Sequence, residues 1–127
     1  MSETYVLDAS AILCLLFKEP GADAVESLLS DAVVSTVNYA EAVSKLYERG
    51  IGTDDVAAIL AEFRPDTVDF DLEQAISAAA LRPLTKARGL SLGDRACLAL
   101  AAARNATAVT TDRAWADVPG VRVMVLR

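Results

Sequence analysis

Tyr5-Val6-Leu7-Asp8-Ala9-Ser10-Ala11 is the stretch from which the rest of the chain can be read. Thr4 to Leu7 is a short β-branched and aromatic run, read as a strand. Ala9 to Phe17 follows at once with apolar residues at helical spacing (Ile12, Leu15, Leu16). A strand that turns directly into a helix, with an acid at the joint, is the opening unit of an α/β fold.

Outward from this unit, strands and helices alternate. Glu19-Pro20-Gly21 breaks the first helix, and Ala22 to Leu29 forms a second, with Ala22, Val25, Leu28 and Leu29 on one face. Ala32 to Val34 reads as a buried strand. Ser35 and Thr36 are N-cap candidates for a helix from about Val37 to Arg49, closed by Gly50. Thr53 is placed to cap another helix, Asp54 to Phe63, which ends before Pro65. Thr67 to Phe70 reads as a strand. A helix then starts near Leu72, and Pro83 either kinks it or opens a second segment. Gly89 stops it. Ser91 begins the best helix of the chain, running to Arg104. Ala108 to Thr110 is a strand, a short turn starts at Arg113, and Val121 to Leu126 is the last strand. The expectation is one domain over residues 1–127: α/β, with a mainly parallel sheet and helices on both faces. Crossovers should be right-handed, and functional residues should lie beyond the carboxyl ends of the strands.

Composition narrows the chemistry. With 127 residues, 54% hydrophobic and 24% charged, the chain is long enough to bury a core and is expected to be ordered. The absence of His removes His-based nucleophile activation and His-ligated zinc. Cys14 and Cys97 lie in helical apolar patterns with no metal-type spacing, so two buried, reduced thiols in a cytoplasmic protein are expected. The apolar run Ala96 to Ala103 is far short of the roughly 18 residues that span a bilayer. Met1-Ser2-Glu3-Thr4 carries no basic stretch, so neither a signal peptide nor a membrane anchor is expected. The net charge of −6 argues against simple electrostatic binding of nucleic acid. Lys45 and Arg49, and Arg82, Lys86 and Arg88, are local basic groups that could flank a groove or form solvated helix faces.

The acids are more specific. Asp8 ends the first strand and Asp112 follows the strand ending at Thr110, so both should project from one sheet edge. Glu41 and Asp94 lie in the first turns of helices that start at that edge. Each has an ordinary structural role open to it. Asp8 can begin its helix, Glu41 can pair with Lys45 at i,i+4, Asp94 can form a capping box with Ser91, and Asp112 can cap the segment after it. Four carboxylates gathered together repel, and an all-oxygen acidic cluster suits Mg²⁺ or Mn²⁺.

Four segments, in this order and spacing, resemble the PIN-domain family and, more closely, its VapC-type toxins. They are Tyr5 to Ala11, Asn38-Tyr39-Ala40-Glu41-Ala42, Gly89 to Ala99, and Thr110-Thr111-Asp112-Arg113-Ala114-Trp115. The resemblance runs from Tyr5 to about Val125. It implies a three-layer α/β/α sandwich and Mg²⁺- or Mn²⁺-dependent endoribonuclease activity on RNA. The acidic set would be Asp8, Glu41, Asp94 and Asp112, with Ser10 and Thr110 orienting it and Asn38 in support. It also implies a cognate VapB-like antitoxin and a homodimer. The chain ends soon after the last strand, so no RNA-binding extension is expected. Asp117 is read as structural, in the Asp117-Val118-Pro119-Gly120 turn. Two other readings stay open: a haloacid-dehalogenase-type phosphatase with an Asp nucleophile, which usually has a second acid where this chain has Ser10, and a module that binds metal or a partner without chemistry. No Gly-rich fingerprint follows Asp8, which speaks against a dinucleotide-binding fold.

Overall fold

Strand β1 (Tyr5–Leu7) lies at the centre of a five-stranded sheet of order β3-β2-β1-β4-β5. The computed structural model describes residues 3–127; of the N-terminal stretch read for a signal peptide, Met1 and Ser2 fall outside them. After β1 come α1 (Ala9–Leu16), α2 (Ala22–Leu28), β2 (Ala32–Ser35), α3 (Thr36–Glu48), α4 (Thr53–Glu62) and β3 (Asp66–Val68). The chain continues through α5 (Leu72–Ala80), α6 (Arg82–Thr85), α7 (Leu92–Ala103), β4 (Thr107–Thr110) and β5 (Arg122–Val125). All four strand pairings are parallel, so the sheet is wholly and not merely mainly parallel.

Side-chain alternation along the strands divides the interior in two. Val6 and Ala108 point to a cluster with Cys97, Leu98, Ala101 and Trp115, beneath α7. Their neighbours Leu7 and Val109 point the other way, to Ala11, Ile12, Val25 and Ala42 of α1, α2 and α3. Both faces of the central strands are therefore covered, which makes three layers and explains why these strands are apolar throughout. No helix among the described residues is long and apolar enough to cross a membrane. Cys14 and Cys97 are free and buried.

Most helix signals act as read. Ser35 caps α3 by accepting from Val37 N at 3.2 Å. Pro83 opens α6, where its missing N–H costs nothing. Gly89 adopts φ +70° where the chain leaves the turn after α6, a conformation that side chains disfavour. Two readings need correction. Thr53 is the first residue of α4, and its N-cap is Gly52, with no side-chain bond. The third strand lies at Asp66–Val68 and not Thr67–Phe70. Val34 and Ser35 pair with Thr67 and Val68, and Thr36 Oγ1 takes the amide of Phe70 at 3.1 Å, which ends the ladder. Asp71 then caps α5 through Gln74 N.

Leu98 is fully buried in the cluster beneath α7. Leu98→Ala should lower the urea unfolding free energy by about 3 kcal/mol, without changing the far-ultraviolet circular dichroism of the folded state.

Candidate active site

The chain passes from β1 to β2 and β3 on one side and returns to β4 and β5 on the other. The carboxyl ends of β1 and β4 thus flank a topological switch point, where open parallel sheets form their crevices. Asp8 stands there, 4% exposed. It caps α1 by accepting from Ala11 N at 2.8 Å. Ser10 Oγ donates to the same oxygen at 2.7 Å, and Thr110 Oγ1 donates to the other at 2.6 Å. The network continues along β4: Thr111 N donates to Ser10 Oγ and Asp112 N to Thr110 Oγ1.

These donors favour the ionised form of Asp8, yet burial outweighs them. Desolvation, helped by the charge of Asp94, pushes its pKa from the ordinary 3.8 up to about 6. The carboxyl group has no cationic side chain to balance it. The salt bridges among the described residues, Lys45–Glu48 and Arg127–Glu19, involve none of the four acids.

Glu41 arrives from α3. Asn38, one turn before it and buried, donates from Nδ2 to Glu41 Oε1 at 3.1 Å and to the Gly93 carbonyl at 2.9 Å. That fork ties α3 to the first turn of α7. Burial raises the pKa of Glu41, with Asp94 adding to the shift. Asp8, Asp94 and Glu41 all raise the pKa of buried Cys97 as well, after desolvation, so three acids from three elements act on one point.

Asp94 forms the capping box with Ser91: Ser91 N donates to Asp94 Oδ2 at 2.9 Å, and Asp94 N donates to Ser91 Oγ at 3.2 Å. Asp112 caps the turn at 113–115 through Ala114 N. The structural roles open to Asp8, Asp94 and Asp112 are thus all realised. The pairing of Glu41 with Lys45 is not, because Lys45 bridges to Glu48 at 3.0 Å.

The four acids share one end of the sheet, but they do not close into a cage. Among the described residues, no group of three or more His, Cys, Asp or Glu side chains is arranged to hold a metal ion. Asp94 and Asp112 each give one oxygen to their own helix terminus. The donor chemistry nevertheless suits a hard dication. Every candidate ligand is a carboxylate oxygen, Asp8 and Glu41 carry a desolvation cost that a cation would relieve, and buried Asn38 Oδ1 has no hydrogen-bond partner.

Several basic residues are engaged elsewhere. Arg49 lies over the ring of Phe17. Arg88 donates to the carbonyls of Ala116 and Asp117. Asp117 has φ +67° and accepts from Arg88 through its backbone carbonyl.

One residue went unnoticed for the site. A Cβ on Gly93 would collide with both carboxylate oxygens of Glu41. Only glycine lets Glu41 lie against the first turn of α7. A glycine inside the strongest helix of the chain carries a propensity penalty of about 1 kcal/mol, and that was the available signal.

The PIN-domain family model matches residues 5–121, and the chain belongs to the PIN-domain family. No curated relative matches the sequence. Solved structures share the fold. DNA-bound VapBC from Salmonella typhimurium contains a chain with TM-score 0.78 and 20% identity, the match covering 99% of this chain and 100% of that one. FitAcB from Neisseria gonorrhoeae gives 0.73 and 22%, covering 95% and 96%. VapC20 of Mycobacterium tuberculosis, described as a sarcin–ricin-loop-cleaving toxin, gives 0.70 and 16%, covering 94% and 99%.

The raised pKa of Asp8 has a consequence for stability. The folded state binds this proton more tightly than the unfolded chain. Asp8 therefore costs nothing below pH 3.8 and its full penalty, up to about 3 kcal/mol, above about pH 6. In metal-free buffer, Asp8→Asn should raise the urea unfolding free energy at pH 7.5 by roughly 1–2 kcal/mol, and the gain should disappear near pH 3.5. A variant less stable than wild type at pH 7.5 would contradict this reading of the site.

Proposed function

We propose that this chain is an endoribonuclease dependent on Mg²⁺ or Mn²⁺, and the toxin of a toxin–antitoxin pair. The observation that carries this reading is the buried, uncompensated carboxylate of Asp8, held by Ser10 and Thr110 at the sheet's switch point, with Asp94 and Glu41 close enough to raise pKa values there. Asp8, Glu41, Asp94 and Asp112 would hold the ion, which when bound supplies a nucleophilic water at neutral pH and offsets the charge of a phosphodiester.

The chain's own residues do the positioning. Ser10 and Thr110 fix both oxygens of Asp8, so its orientation does not depend on the substrate. Asn38 holds Glu41 against α7, and the missing side chain of Gly93 leaves room for it. Asp94 and Asp112 are anchored by one oxygen each. With a net charge of −6, the protein gains little long-range attraction for a polyanion, and neutralisation has to come at the site.

Family membership supports the nuclease reading. A toxin–antitoxin complex from Klebsiella pneumoniae with the same fold supports an antitoxin partner, and VapC20 supports RNA as the substrate. Ser10, where a dehalogenase-type phosphatase would carry a second acid, serves as a hydrogen-bond donor to Asp8.

Purified protein incubated with structured RNAs should cleave with Mg²⁺ or Mn²⁺ and stop on chelation. Asp8→Asn should reduce cleavage at least 100-fold and abolish any Mg²⁺-induced rise in Tm. Full cleavage by Asp8→Asn at equal metal concentration would overturn the assignment. Gly93→Ala should lose cleavage at least 10-fold while staying folded, because the added methyl displaces Glu41; unchanged rates would show that the seat of Glu41 is not needed.

A further inference from the structure

Charged residues at the carboxyl end of the sheet are sorted by strand. Beyond β2, the chain leaving β3 reads Asp69-Phe70-Asp71-Leu72-Glu73, with its three acids exposed and no Lys or Arg among them. On the other side of β1, Arg113 follows Asp112 after β4, and Arg127 comes just after β5. Leu126 N donates to Thr110 O at 2.8 Å, which carries the pairing of these two strands to their ends. Arg113 Nε then donates to the main-chain oxygen of Arg127 at 3.2 Å. Its guanidinium is thus seated at the end of β5, two strands from Asp8, a separation of about 10 Å. The acid cluster has one negative bank and one positive bank.

Neighbouring cations do not share the freedom of Arg113. Arg127 is paired with Glu19. Arg88 uses both terminal nitrogens on the carbonyls of Ala116 and Asp117. Arg113 is exposed. Among the described residues it forms no salt bridge with a carboxylate side chain, and its two terminal nitrogens have no hydrogen-bond partner. Such a fork of N–H donors matches a phosphate group, to which Lys offers only a point charge. The base of Arg113 is fixed as well. Asp112 caps the turn through Ala114 N at 2.9 Å, Trp115 is fully buried beneath α7, and Arg88 clamps the segment that follows. A side chain held at Nε on a fixed turn has less conformational freedom to lose on binding.

We infer that Arg113 is a backbone-binding residue for RNA. Its terminal nitrogens take a phosphate next to the one that is cut, so the strand leaves the acid cluster over β4 and β5 and not over the acidic bank at β3. This rests on RNA being the substrate, as proposed above, but not on the cleavage chemistry. Because that phosphate does not react, Arg113 contributes to binding and not to the chemical step.

Anisotropy of a fluorescent single-stranded RNA, read in an Asp8→Asn background with Mg²⁺, separates binding from cleavage; cleavage kinetics use the otherwise wild-type chain. Arg113→Gln should weaken binding about 10-fold near 50 mM salt and flatten the slope of log Kd against log salt by about 0.7, the amount for one phosphate of a single strand. Arg113→Lys should keep the slope and bind about 3-fold more weakly, because the charge stays and the fork is lost. In cleavage, Arg113→Gln should raise KM about 10-fold with kcat within about 2-fold of wild type. Arg104→Gln removes the same charge from the opposite edge, at the end of α7, and should change none of these. Should Arg113→Gln fail to melt as a folded protein, Arg113→Lys decides through its affinity. An unchanged slope and KM in Arg113→Gln, unchanged affinity in Arg113→Lys, or an equal loss in Arg104→Gln would overturn the inference while leaving the nuclease reading intact. RNA bound through Arg113 without cleavage would remove the nuclease reading and leave this one standing, and RNA bound by no form of the protein would remove both.

Discussion

The site's architecture answers to a single cost: a carboxylate at the end of the central strand, taken out of water with no cationic side chain among the described residues to balance it. The backbone amide of Ala11 and the hydroxyls of Ser10 and Thr110 all donate to Asp8, and burial still raises its pKa to about 6. Packing cannot remove that cost, because the two cores that enclose Leu7 and Val6 on opposite faces of the sheet are also what desolvate the residue after them. A fold that maintains such a group either uses its charge or would be better served by a neutral side chain.

Topology supplies the setting. Strand order reverses between β1 and β4, and four chain segments bring Asp8, Glu41, Asp94 and Asp112 to that end of the sheet. Three of these acids also satisfy amides at the start of a helix or turn. Capping and function are therefore not competing explanations. Helices that start at the carboxyl edge of a parallel sheet present unpaired N–H groups there, and a carboxylate is a natural partner for them. The same bonds hold each acid at the edge where a cation would need it. Glu41 is the exception. Away from a terminus, it relies on Asn38 and on the space left by Gly93.

Much of this was legible in the sequence, for reasons that lie within a few residues along the chain. Ser35 and Ser91 announced helices α3 and α7, Pro83 the start of α6, Gly89 the stop after it, and short β-branched runs the strands, because capping, ring closure and side-chain alternation are local. The positions of Asp8 and Asp112 after parallel strands placed them at one edge, and the spacing of the four acidic segments suggested the family to which residues 5–121 belong. The strand near Thr67 was misplaced, because its end is set by Thr36 capturing the amide of Phe70, 34 residues away in sequence.

Other features exist only in three dimensions. No local pattern could show that Thr110 bonds to Asp8 across 102 residues, or that Asn38 spans from Glu41 to the carbonyl of Gly93. Nor could the sequence say that the acids, gathered at one end of the sheet, stop short of forming a metal-holding group among the described residues. Element identity follows from neighbours along the chain, whereas desolvation, and with it the proton affinity of Asp8, depends on everything folded over it. The order of residues named the groups that could act; the packing of two cores against one sheet decided which of them is buried and held in place.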